Sequence, residues 1–61
     1  MTPASLIAWR ERLGIRSQAA AARMLGVARN TYAGYESGSQ PIPLYIALAC
    51  AAIAFGLPPI H

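Results

Sequence analysis

Residues 17–38 have the sequence SQAAAARMLGVARNTYAGYESG, and this stretch decides the fold. The run of alanines at residues 19–22 gives its first half a high helix propensity and little bulk, so that another helix can approach closely. Gly26 stands where a chain needs a positive φ to leave a helix. A second helix is predicted from just after Ala28 to about Glu36. The stretch therefore predicts two short helices joined by a tight glycine turn.

Two helices of this size and connection form the helix-turn-helix unit, here expected over about residues 17–36. The second helix of such a unit typically enters the major groove of DNA. Tyr32 and Tyr35 are predicted to face the core, which leaves the opposite face of this helix exposed. Gly34 lies inside the helix, where glycine costs about 1 kcal/mol relative to alanine, and this indicates either lower stability or close approach to another group.

Length and composition limit the possible functions. The chain has 61 residues, enough for one domain, and its hydrophobic content of 56% excludes intrinsic disorder. Its net charge is +3, with five arginines and no lysine, which suits an anionic partner and bidentate contacts to phosphate or guanine. A GC-rich genome is an alternative explanation for arginine without lysine.

The residues needed for catalysis or metal binding are scarce. Two acidic residues, one histidine and one cysteine, all distant in sequence, give no nucleophile–base pair and no zinc set, so neither an enzyme nor a cofactor is expected. Cys50 is predicted to be a small buried hydrophobe.

Residues 42–57 are apolar, but their helical part of about 13 residues is too short to span a bilayer. No signal peptide is recognised, and the expected location is the cytoplasm, on the nucleoid.

Two further helices are predicted to flank the unit. Thr2 is a good N-cap and Pro3 favours the first helical position, so helix one begins there. Arg10 lies at the edge of the apolar stripe of this helix, and a charge turned toward a core needs a partner. Helix four is predicted over about residues 43–55, after a loop rich in glycine, serine and proline. The sequence thus predicts one all-α domain over residues 1–61.

The spacing of these residues resembles the phage repressor and Cro class of helix-turn-helix domains, an XRE-like family. The resemblance is carried by Ile15, Ser17, Gln18, Ala22, Leu25, Gly26, Val27, Thr31, Tyr35, Glu36 and Gly38. It implies a compact four-helix domain like that of lambda repressor. It also implies a sequence-specific transcriptional regulator whose partner is double-stranded DNA.

The resemblance further implies roles for individual residues. Base contacts are expected on the exposed face of helix three, at Ala28, Arg29, Asn30, Ala33 and Gly34. Phosphate contacts are expected at Ser17, Gln18, Ser37 and Ser39, and the cationic side chains of Arg16 and Arg23 are further candidates. Arg10 and Glu36 are expected to form a partly buried ion pair between helices one and three.

The chain departs from the family pattern at two positions. Many members carry a capping side chain where this chain has Ala28, and losing such a cap costs roughly 1 kcal/mol. Many also have arginine, glutamine or lysine at the position of Gly34, so one common base-reading side chain is absent.

Helix four is expected to supply the contact of a homodimer, because it holds more apolar residues than a small core can bury. The expected interface consists of Leu44, Ile46, Leu48, Ile53 and Phe55. The predicted function is then a dimeric repressor of a phage or mobile-element promoter, bound to an inverted-repeat operator and without a small-molecule ligand. A protein-binding adaptor or antitoxin-like module is the alternative, and a piece of a longer regulator is another.

Overall fold

Four α-helices form the described part of the chain, residues 1–56 of this computed structural model. They are α1, Pro3–Arg12; α2, Gln18–Leu25; α3, Arg29–Ser37; and α4, Leu44–Ala54. The predicted all-α helix-turn-helix class is confirmed, and α4 is shorter than predicted by one residue at each end.

The helix starts follow from short-range hydrogen bonds. Thr2 is extended, and its hydroxyl accepts a bond from the Ser5 N–H at 3.1 Å while Ser5 Oγ accepts one from the Thr2 N–H at 2.8 Å, which forms a capping box. Ser17 caps α2 by accepting from the Ala20 N–H at 3.0 Å. Ala28 precedes α3 with no side-chain cap, as the sequence predicts.

The turn between α2 and α3 depends on a glycine. Gly26 adopts a left-handed conformation, with φ of 73° and ψ of 26°. The Val27 N–H then bonds back to the Ala22 carbonyl at 3.0 Å, which satisfies an otherwise unpaired group at the end of α2. Ala21 and Ala22 are buried, so the small side chains of α2 let α3 pack closely.

Each helix contributes two residues to the core. They are Leu6 and Trp9, Ala21 and Ala22, Tyr32 and Tyr35, and Ile46 and Cys50. The Trp9 indole Nε1 donates to the Cys50 carbonyl at 2.9 Å and so links α1 to α4. Burial raises the pKa of the Cys50 thiol to about 11, in keeping with its predicted role as a small buried hydrophobe.

Helix α4 has two opposite apolar stripes, and one of them corrects the predicted interface. Ile46 is only 1% exposed and Ile53 is half-buried against the core, so these two residues belong to the inner stripe. Placing Ile46 in a dimer interface is therefore wrong. The outer stripe holds Leu44, Leu48 and Phe55, which are 75%, 62% and 82% exposed. A helix that is apolar all round gives no pattern from which its buried side can be read.

Within residues 1–56, no helix combines the length and the apolar character that a membrane crossing requires. No three histidine, cysteine, aspartate or glutamate side chains lie together there as a metal site would need.

Candidate nucleic-acid interface

The outer face of α3 carries two polar side chains that are free to bind a ligand. Arg29 and Asn30 are exposed at the start of the helix, and within residues 1–56 neither side chain has a hydrogen-bond partner. Ala33 is half-buried one turn further on, and Ser37 is exposed at the end of the helix. Side chains spaced in this way share one helix face, so α3 presents a continuous outer surface.

Gly34 does not belong to the exposed part of that surface, and the prediction that it is exposed is wrong. It is buried, because the side chain of Gln40 from the following loop lies over it. A Cβ on Gly34 would lie only 3.0 Å from Gln40 Cγ and 3.0 Å from Gln40 Nε2. The close approach that the glycine indicates is therefore made by another part of the same chain.

A polar cluster around Glu36 fixes the angle of α3 against α1 and α2. Arg10 Nε donates to Glu36 Oε2 at 2.7 Å and Arg10 Nη2 donates to Oε1 at 3.3 Å, which is a bidentate pair. The Tyr32 hydroxyl donates to Oε2 at 2.7 Å, and Gln18 Nε2 donates to Oε1 at 2.9 Å. The ion pair expected from the sequence is thus the centre of a larger cluster.

Arg10 also holds the loop between α1 and α2. Its Nη1 donates to the Ile15 carbonyl at 3.2 Å and to the Arg16 carbonyl at 3.5 Å. One guanidinium group therefore joins α1, the loop that precedes α2 and the end of α3.

The cluster keeps Glu36 ionised. Burial alone would raise the pKa of Glu36, but hydrogen bonds from Arg10, Tyr32 and Gln18 outweigh it, and the pKa lies below its ordinary value. Burial, and next the bond to Glu36, raise the pKa of Tyr32, so its hydroxyl stays protonated and remains a donor. Every buried side-chain polar atom within residues 1–56 has a partner.

A model of a helix-turn-helix family matches residues 6–59, which is most of the chain. The chain belongs to the XRE-like helix-turn-helix family. This is a family of DNA-binding transcription regulators, which are typically not enzymes. Comparisons with curated proteins and with solved structures returned no significant match.

Gln18 makes a contact within the domain that the sequence did not predict. Its amide nitrogen donates to Glu36, while the predicted phosphate contact stays a prediction. The side chain is half-buried in this position. Gln18 therefore supports the recognition helix from behind.

The other predicted phosphate contacts remain at the surface. Arg16, Ser17 and Arg23 are exposed. Ser37 and Ser39 are exposed as well, and their hydroxyls bond to each other at 3.1 Å, which orders the loop that follows the recognition helix. Contacts of this kind would orient a helix-turn-helix domain on DNA without reading its sequence.

The exposed charge of the domain is positive. Arg10 is matched by Glu36, which leaves Glu11 as the exposed carboxylate within residues 1–56. The exposed cationic side chains there are Arg12, Arg16, Arg23 and Arg29. The net positive charge of the chain is therefore carried at the surface, where it can meet phosphate.

Gln40 is not among the contacts predicted from the sequence, although its side chain borders the outer face of α3. Its position depends on the path of the loop after Gly38, which the sequence pattern does not specify. The glycine inside the recognition helix is the one signal that pointed to this place.

Proposed function

We propose that this chain is a sequence-specific repressor that reads the major groove with α3 and acts at a phage or mobile-element promoter. The observation that carries the proposal is the adjacent pair Arg29 and Asn30, exposed and without hydrogen-bond partners within residues 1–56, on a helix that the Glu36 cluster holds in place. Rigid support matters because a bidentate base contact depends on the angle at which the helix enters the groove.

The chemistry of the two side chains suits base recognition. Arginine can donate two hydrogen bonds to O6 and N7 of guanine, and asparagine can pair with N6 and N7 of adenine. Each good bidentate pair contributes about 1–3 kcal/mol of discrimination against the wrong base. Ala33, one turn further on, suits contact with a thymine methyl group. Ser17, Arg16 and Arg23 would bind phosphates and fix the register.

The proposed regulator is a homodimer that pairs through the outer stripe of α4. Leu44, Leu48 and Phe55 recur at intervals of four and seven residues, so they lie along one side of the helix. Helix α4 contains no charged residue, so two copies of this stripe can meet without burying an unpaired charge. A two-fold axis would place the recognition helices of the two chains on half-sites about one DNA turn apart.

Selection of random duplex DNA by the purified protein tests the proposed base contacts. We expect an inverted repeat with half-sites about 10 bp apart, containing a guanine whose preference is lost in Arg29→Ala. Arg12→Ala is the matched control. It also removes one exposed arginine, but from α1, so the preference for guanine should be kept. Failure to enrich any sequence would contradict the proposal and favour a protein-binding adaptor or antitoxin.

The dimer and the repression have separate tests. Equilibrium sedimentation at micromolar concentration, with and without the selected DNA, should show a dimer; monomer alone in both would exclude pairing through α4. Placing the selected site over a promoter should lower transcription when the protein is added. An increase in transcription would indicate an activator.

A further inference from the structure

The side chain that covers Gly34 is the most unusual feature of the recognition surface. The side chain of Gln40 lies over the place of the missing side chain, with Cδ 3.2 Å from a Cβ built there and Cγ and Nε2 each at 3.0 Å. An alanine methyl group at this distance would be tight, and Gln40 would have to shift by a few tenths of an ångström. Glycine at position 34 therefore leaves room for the amide to lie this close to the helix.

The backbone holds Gln40 in this position. Its N–H donates to the Gly34 carbonyl at 3.2 Å, and the Gly38 N–H donates to the same carbonyl at 3.1 Å. Ser37 Oγ donates to that carbonyl as well, at 3.2 Å. The loop is thus fastened to the last turn of α3 at the residue that the amide covers.

The amide itself is available. Gln40 is exposed, and within residues 1–56 its side chain makes no hydrogen bond. The fastened backbone limits how far the side chain can reach, so the unpaired amide offers a donor and an acceptor close to this part of α3.

That place borders the face expected to read DNA. Asn30, Gly34 and Ser37 follow one another at intervals of four and three residues, so they form one row along α3. The Gln40 amide lies in this row between Asn30 and Ser37. An asparagine at position 34 would begin its amide one bond beyond its Cβ, and Gln40 brings its own amide close to the same point.

We propose that Gln40 is a specificity-determining residue, which supplies across Gly34 the amide that reads an adenine in the major groove. A glutamine amide can pair with N6 and N7 of adenine in the same way as asparagine. Gln40 would thus replace, from the loop, the base-reading side chain that the recognition helix lacks at position 34. The inference rests on the proposed function, because it assumes that α3 enters the groove.

Base preference measured on the DNA selected by the wild-type protein tests this role. Gln40→Ala should lose an adenine preference at one position in each half-site by about tenfold, within the range of a single bidentate contact, and keep the guanine preference assigned to Arg29. Gly34→Ala should weaken the preference at the same position, because its methyl group requires the Gln40 amide to shift by a few tenths of an ångström. Alanine also raises helix propensity, so this variant should remain folded.

The double variant separates a shared role from two independent defects. If Gly34 acts by seating Gln40, the pair Gly34→Ala and Gln40→Ala should lose no more preference than Gln40→Ala alone. Glu11→Gln, at an exposed position on α1, is the control variant, and its base preference should equal that of the wild-type protein. Circular dichroism of each variant checks that the fold is retained.

The possible failures are distinguishable. Unchanged base preference in Gln40→Ala overturns the role of Gln40 and leaves the proposed function standing. If Gln40→Ala loses the same affinity on every DNA sequence, Gln40 contacts the DNA backbone. This result also overturns its role in reading a base. Retained adenine preference in Gly34→Ala shows that the seat over the glycine is not used. A wild-type protein without any sequence preference overturns the proposed function and the inference together.

Discussion

The Glu36 cluster and helix α4 are held to the rest of the molecule by different forces. Glu36 is 8% exposed and is fixed by directional bonds from three side chains on three helices: Arg10, Tyr32 and Gln18. Within residues 1–56, helix α4 is held mainly by apolar contact through Ile46, Cys50 and Ile53, together with the hydrogen bond from Trp9 to the Cys50 carbonyl.

The difference separates two tasks within one small domain. Directional bonds set the angle of α3, and a helix that reads bases needs a defined angle. Apolar contact is not directional, so it secures α4 while leaving its outer stripe uncovered. An exposed apolar stripe of this kind is typical of an interaction site, and its proposed partner is a second copy of the chain.

The largest expected effect comes from removing the acceptor of the polar cluster. Glu36→Ala leaves Arg10 partly buried without its counter-charge and leaves Tyr32 and Gln18 without their acceptor. We expect the free energy of unfolding to fall by about 3 kcal/mol, the lower end of the range for a broken buried pair, since Arg10 is partly exposed. Urea unfolding followed by circular dichroism measures the change.

Two variants control this result. Glu36→Gln keeps an oxygen acceptor and should lose less stability than Glu36→Ala. Glu11→Ala removes an exposed carboxylate and should change stability by about 0.5 kcal/mol or less. Equal losses in Glu36→Ala and Glu11→Ala would mean that the cluster does not hold the fold.

The second expected effect contrasts the two sides of α4. Ile46→Ala opens a cavity in the core and should cost about 2 kcal/mol, the lower end of the range for such changes. Leu48→Ala lies on the outer stripe, so the monomer should keep its stability within about 0.5 kcal/mol while the dimer weakens. Urea unfolding and sedimentation equilibrium of both variants provide the comparison. A large loss of monomer stability in Leu48→Ala would show that the outer stripe is not free.

Acid should weaken the polar cluster and spare the apolar contact of α4. The pKa of Glu36 is lower in the folded chain than its ordinary value of 4.5, so its contribution is fully present above that pH. It is then lost as the pH falls through the folded pKa. We expect the free energy of unfolding to decrease from about pH 5 downward. The decrease should be smaller in Glu36→Gln, and equal pH profiles would assign it to other groups.

The smallest expected effect comes from adding a capping hydrogen bond at the start of α3. Ala28 already has the extended backbone of an N-cap, with φ of −68° and ψ of 147°, but its side chain cannot accept a hydrogen bond. Ala28→Ser should stabilise the domain by about 1 kcal/mol. A thermal melt detects this as a higher midpoint. Ala28→Val, which offers no acceptor, should give no such increase.

Sequence pattern was sufficient where the cause is local. Thr2, Ser17 and Gly26 act on backbone groups within a few residues, and each lies at the helix end that the sequence predicts. The same holds for the missing cap at Ala28.

Sequence pattern failed where the cause is tertiary. Ile46 and Leu48 are both apolar residues of a uniformly apolar helix, and only packing against α1 and α2 decides which of them is buried. The bond from Gln18 to Glu36 depends on where α3 ends, so the sequence pattern did not predict it. Gly34 is covered because a loop returns over it, which no local pattern encodes.

Trp9 is the single tryptophan of the chain, and its indole is hydrogen-bonded across the core to α4. The tryptophan fluorescence of the protein therefore comes from one known place, the contact between α1 and α4. Emission will report whether α4 is docked on α1, independently of the helical signal from α3. The protein thus contains an intrinsic optical probe for the order in which its helices separate.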